Sequence, residues 1–115
     1  MKRNVIKERS FSFAIEIIDL YKKLSERKEF VLSKQLLRSG TSIGANVREA
    51  EHAESKPDFI HKLSIALKEA NETEYWIDLL HETKYISDVE FSKIKPKISE
   101  ILKLLIRIIA TSRSK

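Results

Sequence analysis

Two short stretches carry residue types able to hold a metal ion. Glu49-Ala50-Glu51-His52 and Asp78-Leu79-Leu80-His81 each place a carboxylate three residues before a histidine. Helices present ligands to di-iron carboxylate centres with that spacing. On adjacent antiparallel helices, however, His52 falls near the connecting turn and His81 near the far end. About 25 residues of helix rise, roughly 35 Å, would separate them. His61 has no partner at ligand spacing. No metal site is expected. With no cysteine, thiolate chemistry and disulfides are excluded, and nothing in the chain resembles a nucleophile with its base. We therefore expect no cofactor and no enzymatic activity.

Charge offers a second kind of chemistry. Residues 1–48 carry eleven Lys/Arg against five Asp/Glu, residues 49–82 three against nine, and residues 83–115 eight against three, within a total of +5. Both ends of the chain are basic and the middle is acidic. One candidate phosphate-binding cluster gathers Lys22, Lys23, Arg27, Lys28, Lys93, Lys95 and Lys97. A second gathers Lys2, Arg3, Lys7, Arg9, Arg113 and Lys115. Both assume that the first and last helices lie side by side and merge their charge. No recognition-helix motif or RNA-binding sheet signature accompanies them, so the signal is nonspecific.

These groups must be positioned by helices. Strand signals are weak: there is no Asn-Gly or Asp-Gly turn, and only two prolines. Apolar periodicity predicts four helices over about 10–27, 29–54, 56–83 and 88–112. The first has two seams: Phe11, Ala14, Ile18 and Tyr21, and beside it Phe13, Ile17, Leu20 and Leu24. The second carries both glycines on a seam of Leu36, Gly40, Ile43, Val47 and Ala50. Each glycine costs a helix about 1 kcal/mol relative to alanine, so a neighbouring helix is expected to approach closely at Gly40 and Gly44. The third repeats Phe59, Leu63, Ala66, Ala70, Thr73, Ile77 and Leu80 at 4-3 spacing, a bundle seam. Ser55 and Ser87 read as N-caps, the latter with Glu90 in a capping box. Pro96 lies too deep for a first-turn proline and predicts a kink or a short turn. From Ile98 the pattern turns nearly all-apolar, with Ile101, Leu102, Leu104, Leu105, Ile106, Ile108 and Ile109 interrupted by Lys103 and Arg107. Its width, like that of the first helix, predicts that helices 1 and 4 also face another subunit.

The segment Gln35-Leu36-Leu37-Arg38-Ser39-Gly40-Thr41-Ser42-Ile43-Gly44-Ala45-Asn46, followed by Glu49-Ala50, Ser55, Asp58-Phe59, Lys62-Leu63, Ala66-Leu67-Lys68-Glu69-Ala70 and Glu72-Thr73-Glu74-Tyr75-Trp76, resembles a known family. These are the bacterial four-helix-bundle proteins first noticed as reading frames inside intervening sequences of 23S ribosomal RNA genes. The chain is also similar to the accessory variability proteins of diversity-generating retroelements, pentameric barrels that bind nucleic acid and a reverse transcriptase through a basic surface. The resemblance implies an up-down-up-down bundle, a homopentamer and no catalysis. Within its motif Arg38, Asn46, Glu49, Lys62, Glu69, Glu72 and Tyr75 are the polar residues. Arg38 is placed to pair with Glu69 or Glu72, which would fix helix register. Two residues depart from the family pattern: Lys84, where a glycine usually follows helix 3, and Pro96.

The expectation is an all-α, up-down-up-down four-helix bundle acting as a non-catalytic oligomeric scaffold for structured RNA, DNA or a nucleic-acid enzyme. The alternative is a protein–protein interaction module without nucleic-acid contact. Neither a signal peptide at residues 1–9 nor a bilayer-spanning run is read, and with no cysteine this points to the cytoplasm.

Overall fold

The computed structural model describes residues 4–115, and over these it is all-helical. Four helices follow one another: α1 (Val5–Glu26), α2 (Leu32–Glu51), α3 (Lys56–Glu82) and α4 (Asp88–Arg113). Each packs on the next, and α4 closes on α1, with no diagonal pair in contact. This is an up-down-up-down four-helix bundle, 46 × 25 × 21 Å.

Caps set the helix ends. Helix α1 begins five residues before the expected start, because the Asn4 side chain accepts from the Lys7 amide at 3.1 Å and caps the charged turn that follows. Ser10, the expected starting point, is buried inside the helix and donates to the Lys7 carbonyl. Helix α2 starts at Leu32 rather than Glu29, since the Glu29 carboxylate folds back onto the first turn. It accepts from the amides of Val31 (3.3 Å), Leu32 (2.9 Å) and Ser33 (2.7 Å). Ser55 caps α3 with Pro57 in its first turn, and Ser87 with Glu90 forms a complete capping box on α4. That helix runs unbroken through Pro96, so no separate turn precedes it. Pro96 lies on the exposed side, as does Ser92, whose carbonyl loses its amide donor there.

Small and large side chains share the core, and α2 and α3 bury Leu36, Ile43, Leu63, Ile77 and Leu80 beside their small residues. Helices α2 and α3 contribute Gly40, Ala50, Ala66 and Ala70 among their buried positions, while α1 and α4 contribute Phe13, Ile17, Leu24, Ile98, Ile101 and Leu105. Each such large side chain contributes about 1.5–3 kcal/mol on burial. Of the two seams on α1, the one through Phe13, Ile17, Leu20 and Leu24 is core; Phe11 and Ile18 stay exposed. The wide apolar run of α4 is mostly absorbed by the core, with Ile106 left outside.

Both glycines face α1. A Cβ on Gly40 would lie 2.9 Å from Cγ1 and Cγ2 of Ile17, and one on Gly44 3.4 Å from the Ser10 carbonyl oxygen. On the other side of α2, the buried Thr73 hydroxyl reaches that of Ser39 at 2.9 Å, tying α2 to α3.

Helices α1 and α3 end alike. The amides of Lys28 and Glu29 donate to the carbonyls of Ser25 and Leu24, and those of Lys84 and Tyr85 to His81 and Leu80. These are Schellman closures. The residue that turns the chain is Lys28 (φ 64°) in one and Lys84 (φ 66°) in the other, with no glycine at either place. A side chain in this left-handed region costs roughly 1 kcal/mol. Replacing Lys28 and Lys84 with glycine is therefore expected to raise stability by about 0.5–1 kcal/mol each, several degrees in Tm together. Thermal unfolding of the double variant at or below the parent's Tm would remove strain from both closures.

Candidate nucleic-acid interface

The α1–α4 seam determines whether the cations of the two helices merge into one surface. It is stitched by ion pairs of alternating direction. Arg9 pairs with Glu100, Lys97 with Glu16, and Arg27 with Glu90 at 2.7 Å. Arg27 also donates to the Tyr85 carbonyl, and its fork on Glu90 is bidentate. That guanidinium, with the Ser87 amide, holds the Glu90 carboxyl at about 2, well below its ordinary value. The seam neutralises itself instead of concentrating positive charge.

The seven cations of the first cluster are accordingly divided. Arg27 and Lys97 belong to the seam, and Lys23 pairs with Asp19 at 3.5 Å within α1. Lys95 turns away to α3, where it meets Asp78 at 2.6 Å and Glu74 at 3.4 Å. Burial alone would lower its pKa, but the two carboxylates outweigh that and the net shift is upward. Lys22, Lys28 and Lys93 are exposed without an ion-pair partner among the described residues. In the second cluster Lys7 pairs with Glu51 at 3.1 Å and Arg9 with Glu100. The side chains of Arg113 and Lys115 are exposed without an ion-pair partner among the described residues, while the Lys115 carbonyl accepts from the Lys56 ammonium; Lys2 and Arg3 lie outside the described residues.

Reading the sequence placed Arg113 and Lys115 in the second cluster but missed Lys103 and Arg107 beside them. Residues 101–115 contain Lys103, Arg107, Arg113 and Lys115 and no Asp or Glu. All four are exposed without an ion pair among the described residues. Lys103 and Arg107, one turn apart, interrupt the apolar run in sequence; in space they are its solvent face. The absence of acid over fifteen residues was the available signal.

The motif residues form interhelical contacts. Arg38 bridges Glu69 at 3.2 Å and Glu72, and Lys62 reaches Glu49 at 3.3 Å. Asn46 donates to the Ser42 carbonyl within α2. Tyr75 is 58% exposed, edge-on to Trp76. The metal-like pairs are divided between other partners: Asp78 holds Lys95, while His81 meets Asp88 at 2.8 Å and stacks on Phe91. Among the described residues no three His, Cys, Asp or Glu side chains converge as metal ligands. No helix there is long and apolar enough to cross a membrane.

Comparison with known proteins places this architecture. No curated protein matches the chain significantly. A solved structure from Bacteroides thetaiotaomicron VPI-5482, described as a protein of unknown function from the S23 ribosomal protein family, is 61% identical. The match covers 90% of this chain and 97% of that one, with a TM-score of 0.89. The family model described as 23S rRNA-intervening sequence protein matches residues 2–107. With four helices in the same order and a match over nearly its whole length, the chain belongs to the 23S rRNA-intervening sequence protein family.

Proposed function

We propose that the protein is a non-catalytic, cytoplasmic scaffold that assembles as a homopentamer and binds structured RNA through the outer face of α4. The observation that carries this reading is the acid-free strip of Lys103, Arg107, Arg113 and Lys115. Four exposed cations with no carboxylate to satisfy them are free to replace counterions on a phosphate backbone. Repetition around a ring would multiply a contact that is weak in one copy. Without a groove-reading helix motif the binding is expected to follow backbone charge and shape, not base sequence. A nucleic-acid enzyme carrying its own RNA or DNA would meet the same strip. The family's ribosomal label reflects where such genes lie and adds little weight for ribosome binding.

The test is fluorescence anisotropy with a labelled structured RNA across a salt series. Converting Lys103 and Arg107 to glutamine should weaken binding about tenfold at low salt and flatten the log K against log salt slope by about 1–2. Converting Lys22, Lys28 and Lys93 to glutamine should do less. The reverse ranking would move the surface to the loop end of the bundle. No binding by the parent at low salt would sink the reading and favour a module that contacts proteins alone.

A further inference from the structure

Two faces of the bundle carry exposed apolar side chains with excess charge of opposite sign. On α1, Phe11, Ile15 and Ile18 follow one another at 4-3 spacing and are 53, 55 and 40% exposed. They border α2, where Lys34, Thr41, Ala45 and Arg48 share a face. Arg48 lies over the Phe11 ring, 5.1 Å from its centre, and neither it nor Lys34 has a carboxylate partner among the described residues. The opposite arrangement occurs on α3. Between residues 69 and 82 it carries Glu69, Glu72, Glu74, Asp78 and Glu82 and no Lys or Arg. Among the described residues only Arg38 and Lys95 answer these five carboxylates. Tyr75, an aromatic of the kind that anchors interfaces, stands out among them.

We infer that these faces bind each other between copies of the chain: the Phe11–Ile15–Ile18 stripe of one copy takes the Tyr75 face of the next. The inference rests on the assembled state proposed above and names its interface. Charge complementarity selects the occupant, because each face carries the sign that the other leaves uncompensated. Geometry sets the mode. Helices α1 and α3 are diagonal in the bundle and do not touch, so the two faces lie on different sides and one copy can use both together. Such a heterologous contact propagates from copy to copy and closes into a ring when the rotation allows. The exposed apolar area then serves an interface instead of facing water. It also leaves the outer face of α4 free for nucleic acid.

Light scattering coupled to size exclusion tests this on the full chain. Ile15→Glu and Tyr75→Glu should each give the mass of one chain, with helical content kept because both side chains are already exposed. Arg48→Glu is a second probe of the α1–α2 face, and Val89→Glu on exposed α4 should change nothing. The decisive measurement mixes Ile15→Glu with Tyr75→Glu. Each then offers the one intact face that the other needs, and the mixture should form a 1:1 dimer and grow no further. An assembled parent whose mass survives Ile15→Glu and Arg48→Glu overturns this interface while sparing the scaffold reading. So does dissociation by Val89→Glu, or a mixture that stays monomeric. A monomeric parent overturns both.

Discussion

Gly40→Ala is expected to destabilise the protein, although alanine is the better helix former. The new methyl would sit 2.9 Å from both Cγ1 and Cγ2 of Ile17. Ile17 is fully buried, and its β-branched side chain is stiff at χ1. It cannot swing aside, so α1 and α2 must separate locally. Overpacking of this kind costs about 1–3 kcal/mol, more than the roughly 1 kcal/mol gained in helix propensity. Gly44→Ala provides the contrast. Its Cβ would meet the Ser10 carbonyl oxygen at 3.4 Å, an ordinary contact, so propensity should win and leave stability unchanged or slightly higher. Gly44→Leu would still force the helices apart, because its further carbons have the α1 backbone in front of them. Chemical denaturation of the three variants gives the ranking. The cause is tested by adding Ile17→Ala to Gly40→Ala: the double variant should lose at least about 1 kcal/mol less than the two single losses combined. Additive losses would mean that Gly40 is needed for something other than room beside Ile17.

This contrast also marks how far the sequence could be read. The seam through Gly40 and Gly44 was legible because glycine is costly inside a helix, so two of them on a buried stripe mark the close approach of a neighbour. Which helix comes close was not, since periodicity describes one element at a time; the neighbour is α1, with Ile17 and Ser10 at the contact. The caps at Ser55 and Ser87 were legible because they are local hydrogen-bonding patterns. Asn4 was hidden by the charged turn behind it, which dilutes the apolar signal although its residues are good helix formers. Lys28 gave no warning of a left-handed turn, for the conformation is imposed by the Schellman hydrogen bonds and not by the residue.

The charge of the candidate surface meets the same boundary. Counting charge along the chain found both of its ends basic, although α1 itself carries four Lys/Arg and four Asp/Glu, so that of the two helices only α4 is basic. Adjacency of α1 and α4 was then assumed to add like charges. Register decides otherwise: Arg9 faces Glu100, Glu16 faces Lys97, and Arg27 faces Glu90. A shift of one residue would turn each of these side chains about 100° around its helix. Cations left after such pairing are the ones able to meet phosphate, and they lie where acids are locally absent. That is a property of the residual charge, legible only once the register is known.

Removing one carboxyl group, in Glu29→Ala, should cost about 2–3 kcal/mol although no apolar contact of note is lost. Helix α2 has no side-chain cap at Val31, the residue preceding its first turn. Glu29 does that work from two positions further back, accepting from three amides, while the Ser33 hydroxyl donates to its carbonyl at 2.8 Å. Its side chain is buried, so amides left behind without it would be poorly solvated, and each such orphan is costly. Glu29→Gln keeps an acceptor of similar shape without the charge and should fall between alanine and the parent. The same arrangement gives a pH dependence. Burial by itself raises the Glu29 pKa, but the Leu32, Ser33 and Val31 amides outweigh it and leave it below the ordinary 4.5. Glu90 is lowered further, to about 2, chiefly by its Arg27 hydrogen bond. Carboxyls depressed in the folded state stabilise it fully only above their unfolded values, near 4.5. That contribution falls as the unfolded chain takes up protons first, and it is gone once the folded groups protonate, which for Glu90 is near pH 2. Because Arg27 is 39% exposed, the Arg27–Glu90 part is screened to about 1 kcal/mol or less. Urea midpoints should therefore hold steady above about pH 5.5 and decline below about pH 5. In Glu29→Ala and in Glu90→Gln the midpoint should begin lower at neutral pH and decline less steeply toward acid. A variant that keeps the parent's full acid slope would show that its carboxylate does not hold the helix start in place.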